Sequence, residues 1–306
     1  MNARLVDTPP RESVRLLLNE IIDYAGLFPP SQVSMSEAVL NYATYRHSNY
    51  GWMLGRFILP AARLDEFYES AREFLPRGSG TPWRLSVLAG EDVQITIRSM
   101  NEFNRKHSER VVCEVLEVKA ATVSKIENTM ATLPKAITPY FEVSTGMRTF
   151  VDLIATLGIK KLRAKLRTGG TTREEFPATR DIIRFIRTCT AANVPFKATA
   201  GLHHPIRCFK PLTYAADAPQ GTMHGFLNVL VMSAFARESF RVSLLEEIME
   251  EEFEEVFEFN EAGVSWRGAH LVTLSHLERL RMRGMHSFGS CSFDEPVADL
   301  RELGIL

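Results

Sequence analysis

Short apolar runs of strand length alternate with amphipathic helical patterns along most of this chain. The runs are GRFILPA (55–61), WRLSVLA (83–89), RVVCEVLEVKA (110–120), TPYFEVST (138–145), KKLRAKLRT (160–168), VPFKATAG (194–201) and HSFGSCSF (286–293). Between them lie LDEFYESAREFL, VQITIRSMNEFNRKH, TVSKIENTMATL, MRTFVDLIATL and TTREEFPATRDIIRFIRTCTAA, each with a helical period. Strand followed by helix, repeated, predicts a parallel α/β architecture. From position 83 to 194 the runs begin about every 22 to 34 residues, close to the unit length of a (β/α)8 barrel. A single TIM-type barrel spanning 1–306 is expected, with an open doubly wound sheet as the alternative.

Two regions depart from a minimal barrel. Residues 1–54 precede the first strand pattern; they hold a helical pattern at 11–25, the turn GLFPPS and a second helical pattern at 35–47, and read as a helical extension capping one end. Residues 206–285 read as a large insertion before the last strand. They contain an apolar helix (223–240), the acidic run LLEEIMEEEFEEVFEF, a hairpin around Asn260 to Trp266 and a basic helix (HLERLRMRG). Leu245, Ile248, Met249 and Phe253 repeat at helical spacing through the acidic run, which therefore reads as a solvated helix face.

Composition narrows the function classes. Lys plus Arg is 36 against 37 for Asp plus Glu, so no overall field draws in nucleic acid or an anionic membrane. The longest apolar stretch, at 225–236, is too short to span a bilayer. The amino terminus has no apolar core of signal-peptide type. Cys113, Cys189, Cys208 and Cys291 lie far apart without CxxC spacing, which predicts free thiols, a cytoplasmic location and no zinc site.

The candidate chemistry comes from strand alternation. In KLRAKLRT the set Arg163, Lys165, Arg167 is polar while Leu162, Ala164 and Leu166 are apolar; in FKATA, Lys197 and Thr199 alternate with Phe196, Ala198 and Ala200. Lys165 and Lys197 are thus expected to point into one cavity from adjacent strands, near the carboxyl ends where barrel active sites form. Two neighbouring ammonium groups would each depress the other's pKa, favouring an amine nucleophile. The plainer reading is a pair of lysines with buried stems and solvated heads. Glu142 and Glu117 are the carboxylates placed to move protons beside such an amine; Glu114 falls on the opposite face from Glu117, and Lys119 on the same one. For each glutamate the alternative is a salt bridge to a buried cation.

KLRTGG (165–170) resembles the KTSTG-type segment of deoxyribose-phosphate aldolase, and FKATAGLH (196–203) is similar to that family's FKPAGGIR-type segment. SFGSCSF (287–293) resembles its late RFGASS-type strand and turn, and YFEVSTG (140–146) its IIETG strand; the four occur in the family's order. The four segments together cover 28 residues. It implies a class I aldolase on a barrel, with Lys165 as the imine-forming nucleophile and Lys197 as the amine that lowers its pKa. It also implies that Gly201, Gly289 and Ser290 offer backbone donors to a substrate phosphate. GLHH stands where the family has GGIR, and Asp294-Glu295 follow the third motif, so phosphorylated and non-phosphorylated carbonyl substrates both stay open.

The loops after the two lysine strands supply further candidate substrate contacts: Arg167, Thr168, Gly169 and Gly170 after the first, His203 and His204 after the second. Adjacent histidines on extended chain point in opposite directions, which argues against both binding one ion. Tyr24 and Phe28 are candidates to lie over the mouth, and His224 reads as a packed residue. The leading expectation is a cofactor-free Schiff-base aldolase or lyase acting on a small carbonyl compound. Against it stand a metal-dependent lyase or isomerase using Glu142, His203 and Glu117 with Lys165 as base, and a barrel that only binds or assembles. A homo-oligomer stays open, because the apolar helix at 223–240 suits either the barrel surface or a subunit interface.

Overall fold

The computed structural model describes residues 10–306; residues 1–9 of the expected extension lie outside the described residues. A helix α1 (Glu12–Leu18) leads into a three-residue strand β1 (Ile22–Tyr24), then α2 (Met35–Arg46) and β2 (Leu54–Pro60). Five units follow: α3 (Leu64–Ala71) and β3 (Trp83–Leu88), α4 (Val93–His107) and β4 (Val111–Lys119), α5 (Val123–Met130) and β5 (Thr138–Glu142), α6 (Phe150–Ile159) and β6 (Arg163–Arg167), α7 (Thr179–Ala191) and β7 (Phe196–Thr199). The segment before the last barrel strand contains a hairpin of β8 (Cys208–Pro211) and β9 (Gln220–Met223), helices α8 (Phe226–Arg237) and α9 (Val242–Met249), and a small sheet of β10 (Phe257–Asn260), β11 (Gly263–Trp266) and β12 (His270–Thr273). The chain ends with α10 (Leu274–Arg283), β13 (Met285–Ser290) and α11 (Asp294–Glu302).

Eight parallel strands close in the order β1-β13-β7-β6-β5-β4-β3-β2, a (β/α)8 barrel. The strands bury apolar residues on their outer side, such as Phe57, Leu59, Leu85 and Val87, under helices whose apolar stripes face them. In α7 that stripe is Ile182, Ile183, Phe185, Ile186 and Cys189. Local caps fix where several helices start: Ser34 accepts from the Glu37 amide, Asp92 from Gln94 and Ile95, Thr122 from Lys125.

The extension expected over 1–54 is in part the barrel itself. Helix α1 stops at Leu18, Glu20 takes a positive φ of 50°, and Ile22–Tyr24 run between β13 and β2 as a barrel strand. Tyr24 packs outward among Tyr42, Tyr45 and Phe57 and does not cover the mouth. The acidic run is not one helix either: α9 ends at Met249, and Phe253 lies exposed ahead of β10. The apolar α8 is buried from Phe226 through Ala236 within the chain, with Phe226 stacked on Phe288.

Three pairings slip by one residue in the lower half of the barrel. Leu85 pairs with Cys113 and Ser86 with Val115, so β4 carries Glu114 as an extra residue. In β13 the slip falls between Met285 and Phe288, and in β2 between the partners of Ile22 and Tyr24. Such bulges re-aim side chains. Glu114 therefore faces the interior as Glu117 does, against the expectation from strict alternation, and its Oε1 lies 2.6 Å from Arg56 Nε.

Candidate active site

Lys165 and Lys197 stand in register on β6 and β7, and both are buried. Alternation held on these strands, so each amine enters the barrel interior. Between the amines lies Glu117 of β4: its Oε2 is 2.7 Å from Lys165 Nζ and its Oε1 is 2.7 Å from Lys197 Nζ. Glu142 of β5 completes the Lys165 site at 2.9 Å. Ser86 of β3 donates to Glu117 Oε1 at 2.6 Å.

Lys197 has a second partner absent from the sequence-based expectations. Asp23, in the middle of β1, places Oδ2 2.6 Å from Lys197 Nζ and accepts there from Ser287 Oγ at 2.7 Å. Its Oδ1 accepts from the Arg56 backbone amide at 2.8 Å. A Cβ on Gly55 would fall 2.4 Å from that Oδ1, so only glycine lets β2 wrap the carboxylate so closely.

The charge states follow from these contacts. Burial opposes the charge on Lys197, but Asp23 and Glu117 together outweigh it and hold the ammonium above its usual pKa. Burial likewise works against ionised Glu117 and Asp23, and the cations beside them win: Lys165 and Lys197 draw Glu117 far below the usual carboxylate range, and Lys197 with Arg56 lowers Asp23. The expected mutual depression of the two lysines is thus reversed at Lys197, because a carboxylate separates the amines. Lys197 is a fixed buried cation.

Above this network the barrel opens into a cavity of about 380 Å³ at the carboxyl ends of its strands. Lys165, Glu117, Glu142, Arg167 and Lys119 give it a charged floor and wall, and Phe28, Ile58 and Leu88 an apolar side. Gly170, Gly201, Gly289 and His203 also line it, as expected. Four expected contacts do not. Thr168 turns back to donate to the Ala200 carbonyl at 2.5 Å, tying one loop to the next. Gly169 packs on Phe176 and Gly201, too tightly for any side chain. His204 pairs with Asp299 at 2.6 Å, and Ser290 lies within the β1–β13 ladder.

Cys291, one residue beyond Ser290, takes that place on the cavity wall. Its Sγ lies 3.8 Å from His203 Nδ1, and Glu295 Oε2 lies 3.5 Å from the same nitrogen. Burial works against both charges, yet the contacts prevail: the His203 pKa rises to about 9 and the Cys291 pKa falls below its ordinary value. A thiol made more acidic by the imidazole beside it therefore faces the cavity. Cys291 was expected only as a free thiol, although its parity with Ser287 and Gly289 turns it inward.

Among the described residues no group of three or more His, Cys, Asp or Glu side chains is arranged to hold a metal ion; Glu117 and Glu142 hold Lys165 instead. Among the same residues no helix is long and apolar enough to cross a membrane. No protein-family model matches this sequence, and no curated protein matches it.

Proposed function

We propose that this barrel is a Schiff-base lyase of the class I aldolase type, acting on a small carbonyl compound through an imine on Lys165. The observation that carries the reading is a buried amine on the cavity floor with carboxylates on two sides, backed by a second lysine that stays cationic.

Glu142, the less buried carboxylate, takes a proton from Lys165 Nζ as a carbonyl carbon approaches, and the freed nitrogen lone pair forms the C–N bond. The carbinolamine oxygen leaves as water once reprotonated, which yields the iminium. The iminium draws electrons from the neighbouring bond, so either an α-proton or an α-carbon fragment departs. Glu142, relieved of its proton, is the carboxylate left to take the first of these, while ionised Glu117 balances the charge on the iminium nitrogen. Lys197, Asp23 and Ser86 hold Glu117 in place, so its geometry is preorganised and not assembled on binding. The cavity suits a ligand of a few carbons with one polar end toward Arg167 and Lys119.

Solvent exchange tests the reading. In D2O, a panel of short aldehydes, ketones and 2-keto acids is followed by proton NMR. Enzyme-dependent loss of an α-proton from at least one, abolished in Lys165→Met, is the expected result; equal exchange in the variant contradicts the imine.

A further inference from the structure

The barrel has a second, larger cavity, about 880 Å³, at the amino-terminal end of its strands. It lies on the far side of the ionic network from Lys165 and shares no residue with the upper cavity. A barrel of this type normally fills that end with packed side chains. Here the three register slips all serve it: Arg56 of β2, Glu114 of β4 and His286 of β13 lie at or beside the slips, and each lines this cavity. Bulges at three separate strands, all delivering polar side chains to one space, mark a built site more than a packing fault.

Its lining carries four arginines, Arg15, Arg56, Arg163 and Arg281, against four glutamates, Glu12, Glu20, Glu114 and Glu278, and the ion pairs among them are uneven. Arg56 is neutralised by Glu114 and Asp23, and Glu20 by Arg84. Arg163 and Arg281 have no carboxylate within ion-pair distance among the described residues. Arg163 lies over the Tyr140 ring, with 5.7 Å from its Cζ to the centroid, and Arg281 gives one N–H from each terminal nitrogen to the carbonyls of Met285 and Asn19, which leaves three of its five donors. The acidic residues Glu12 and Glu278 line the same cavity from its exposed rim.

His286 sits among these arginines. Its Nδ1 lies 2.7 Å from the Tyr140 hydroxyl and its Nε2 3.2 Å from the Met282 carbonyl, so the ring sits neutral between a donor and an acceptor. Burial lowers its pKa to about 4, and Arg163, Arg281 and Arg56 all push the same way. Burial also lowers Arg281 to about 10, and the charges of Tyr140, Asp23 and Glu20 offset it only in part.

We propose that this amino-terminal cavity binds a phosphate-bearing small molecule, its oxyanion seated between the guanidinium groups of Arg163 and Arg281. Planar guanidiniums match phosphate oxygens through paired hydrogen bonds, and a dianion supplies the charge these two lack. The space left beyond the phosphate, bounded by Leu16, Ala136 and Met282, takes an organic remainder, so a phosphate monoester fits better than the free ion.

The test is calorimetric titration of the full chain at low ionic strength with inorganic phosphate, glycerol 3-phosphate and succinate. Saturable binding of glycerol 3-phosphate is expected, tighter than inorganic phosphate and weakened at least 10-fold by Arg163→Gln. Arg281→Gln is expected to lose it altogether; because Arg281 also ties two backbone carbonyls, Arg163→Gln keeps the test valid if that variant fails to fold. Arg167→Gln, which alters the upper mouth, is expected to leave the affinity unchanged. Binding lost in Arg167→Gln but kept in Arg163→Gln would move the phosphate to the other end of the barrel and overturn the proposal. So would preference for succinate, or no binding of either phosphate.

Discussion

Lys165 and Lys197 pair in register across β6 and β7, yet their amines are joined only through Glu117, whose two oxygens take one each at 2.7 Å. This carboxylate is the joint of the site. Glu117→Gln keeps the shape and removes the charge, leaving two buried ammonium groups short of a partner. A loss of about 3–5 kcal/mol of stability is expected, the usual cost of unbalancing a buried ion pair. Urea denaturation measures it, and a loss under 1 kcal/mol would show that Glu117 does not hold the network.

Lys197→Met separates binding from turnover. Lys165 keeps Glu117 and Glu142, so an imine is still expected to form, whereas α-proton exchange is expected to fall by roughly 10²- to 10⁴-fold once Glu117 loses its fixed cation. Equal exchange in the variant and the parent would reduce Lys197 to a structural role.

The network also sets a pH window. Asp23 and Glu117 are held below ordinary values of 3.8 and 4.5, so their contribution is complete at neutral pH and lost as pH falls below those values. Lys197 is held above 10.5, so its contribution is present below that pH and lost above it. Stability plotted against pH is expected to be flat across the middle and to fall at both ends. In Lys197→Met the curve is lower and its alkaline fall shrinks; parallel curves would contradict the assignment.

Much of this was legible in the amino-acid sequence, for one reason: period-two alternation survives wherever strands pair without a slip. It put Lys165, Lys197, Glu142 and Glu117 in one interior. It could not place Arg56, Glu114 and His286, since a bulge is a property of the pairing between strands and leaves no mark on either strand alone. Asp23 was hidden differently. Its strand is three residues long and continues the apolar period of the helix before it, so LLLNEIIDY reads as one helix. A single carboxylate among Ile21, Ile22 and Tyr24 was nonetheless the same signal that singled out the lysines.

Cys291 and His203 make a prediction independent of the lysines. Alkylation of Cys291 by iodoacetamide, followed by peptide mass, is expected to show a midpoint below the ordinary thiol value of 9.0. In His203→Gln the midpoint is expected to rise, because burial is then opposed only by the hydrogen bonds from Ser31. An unchanged profile would mean that the imidazole does not hold the thiolate.

The most direct measurement of the central claim is borohydride reduction of the protein mixed with a panel of short carbonyl compounds, read by peptide mass. A stable secondary amine on Lys165, absent from Lys165→Met and present in Lys197→Met, is the predicted result. No adduct on Lys165 with any compound, or an adduct on Lys197 in its place, would contradict the account.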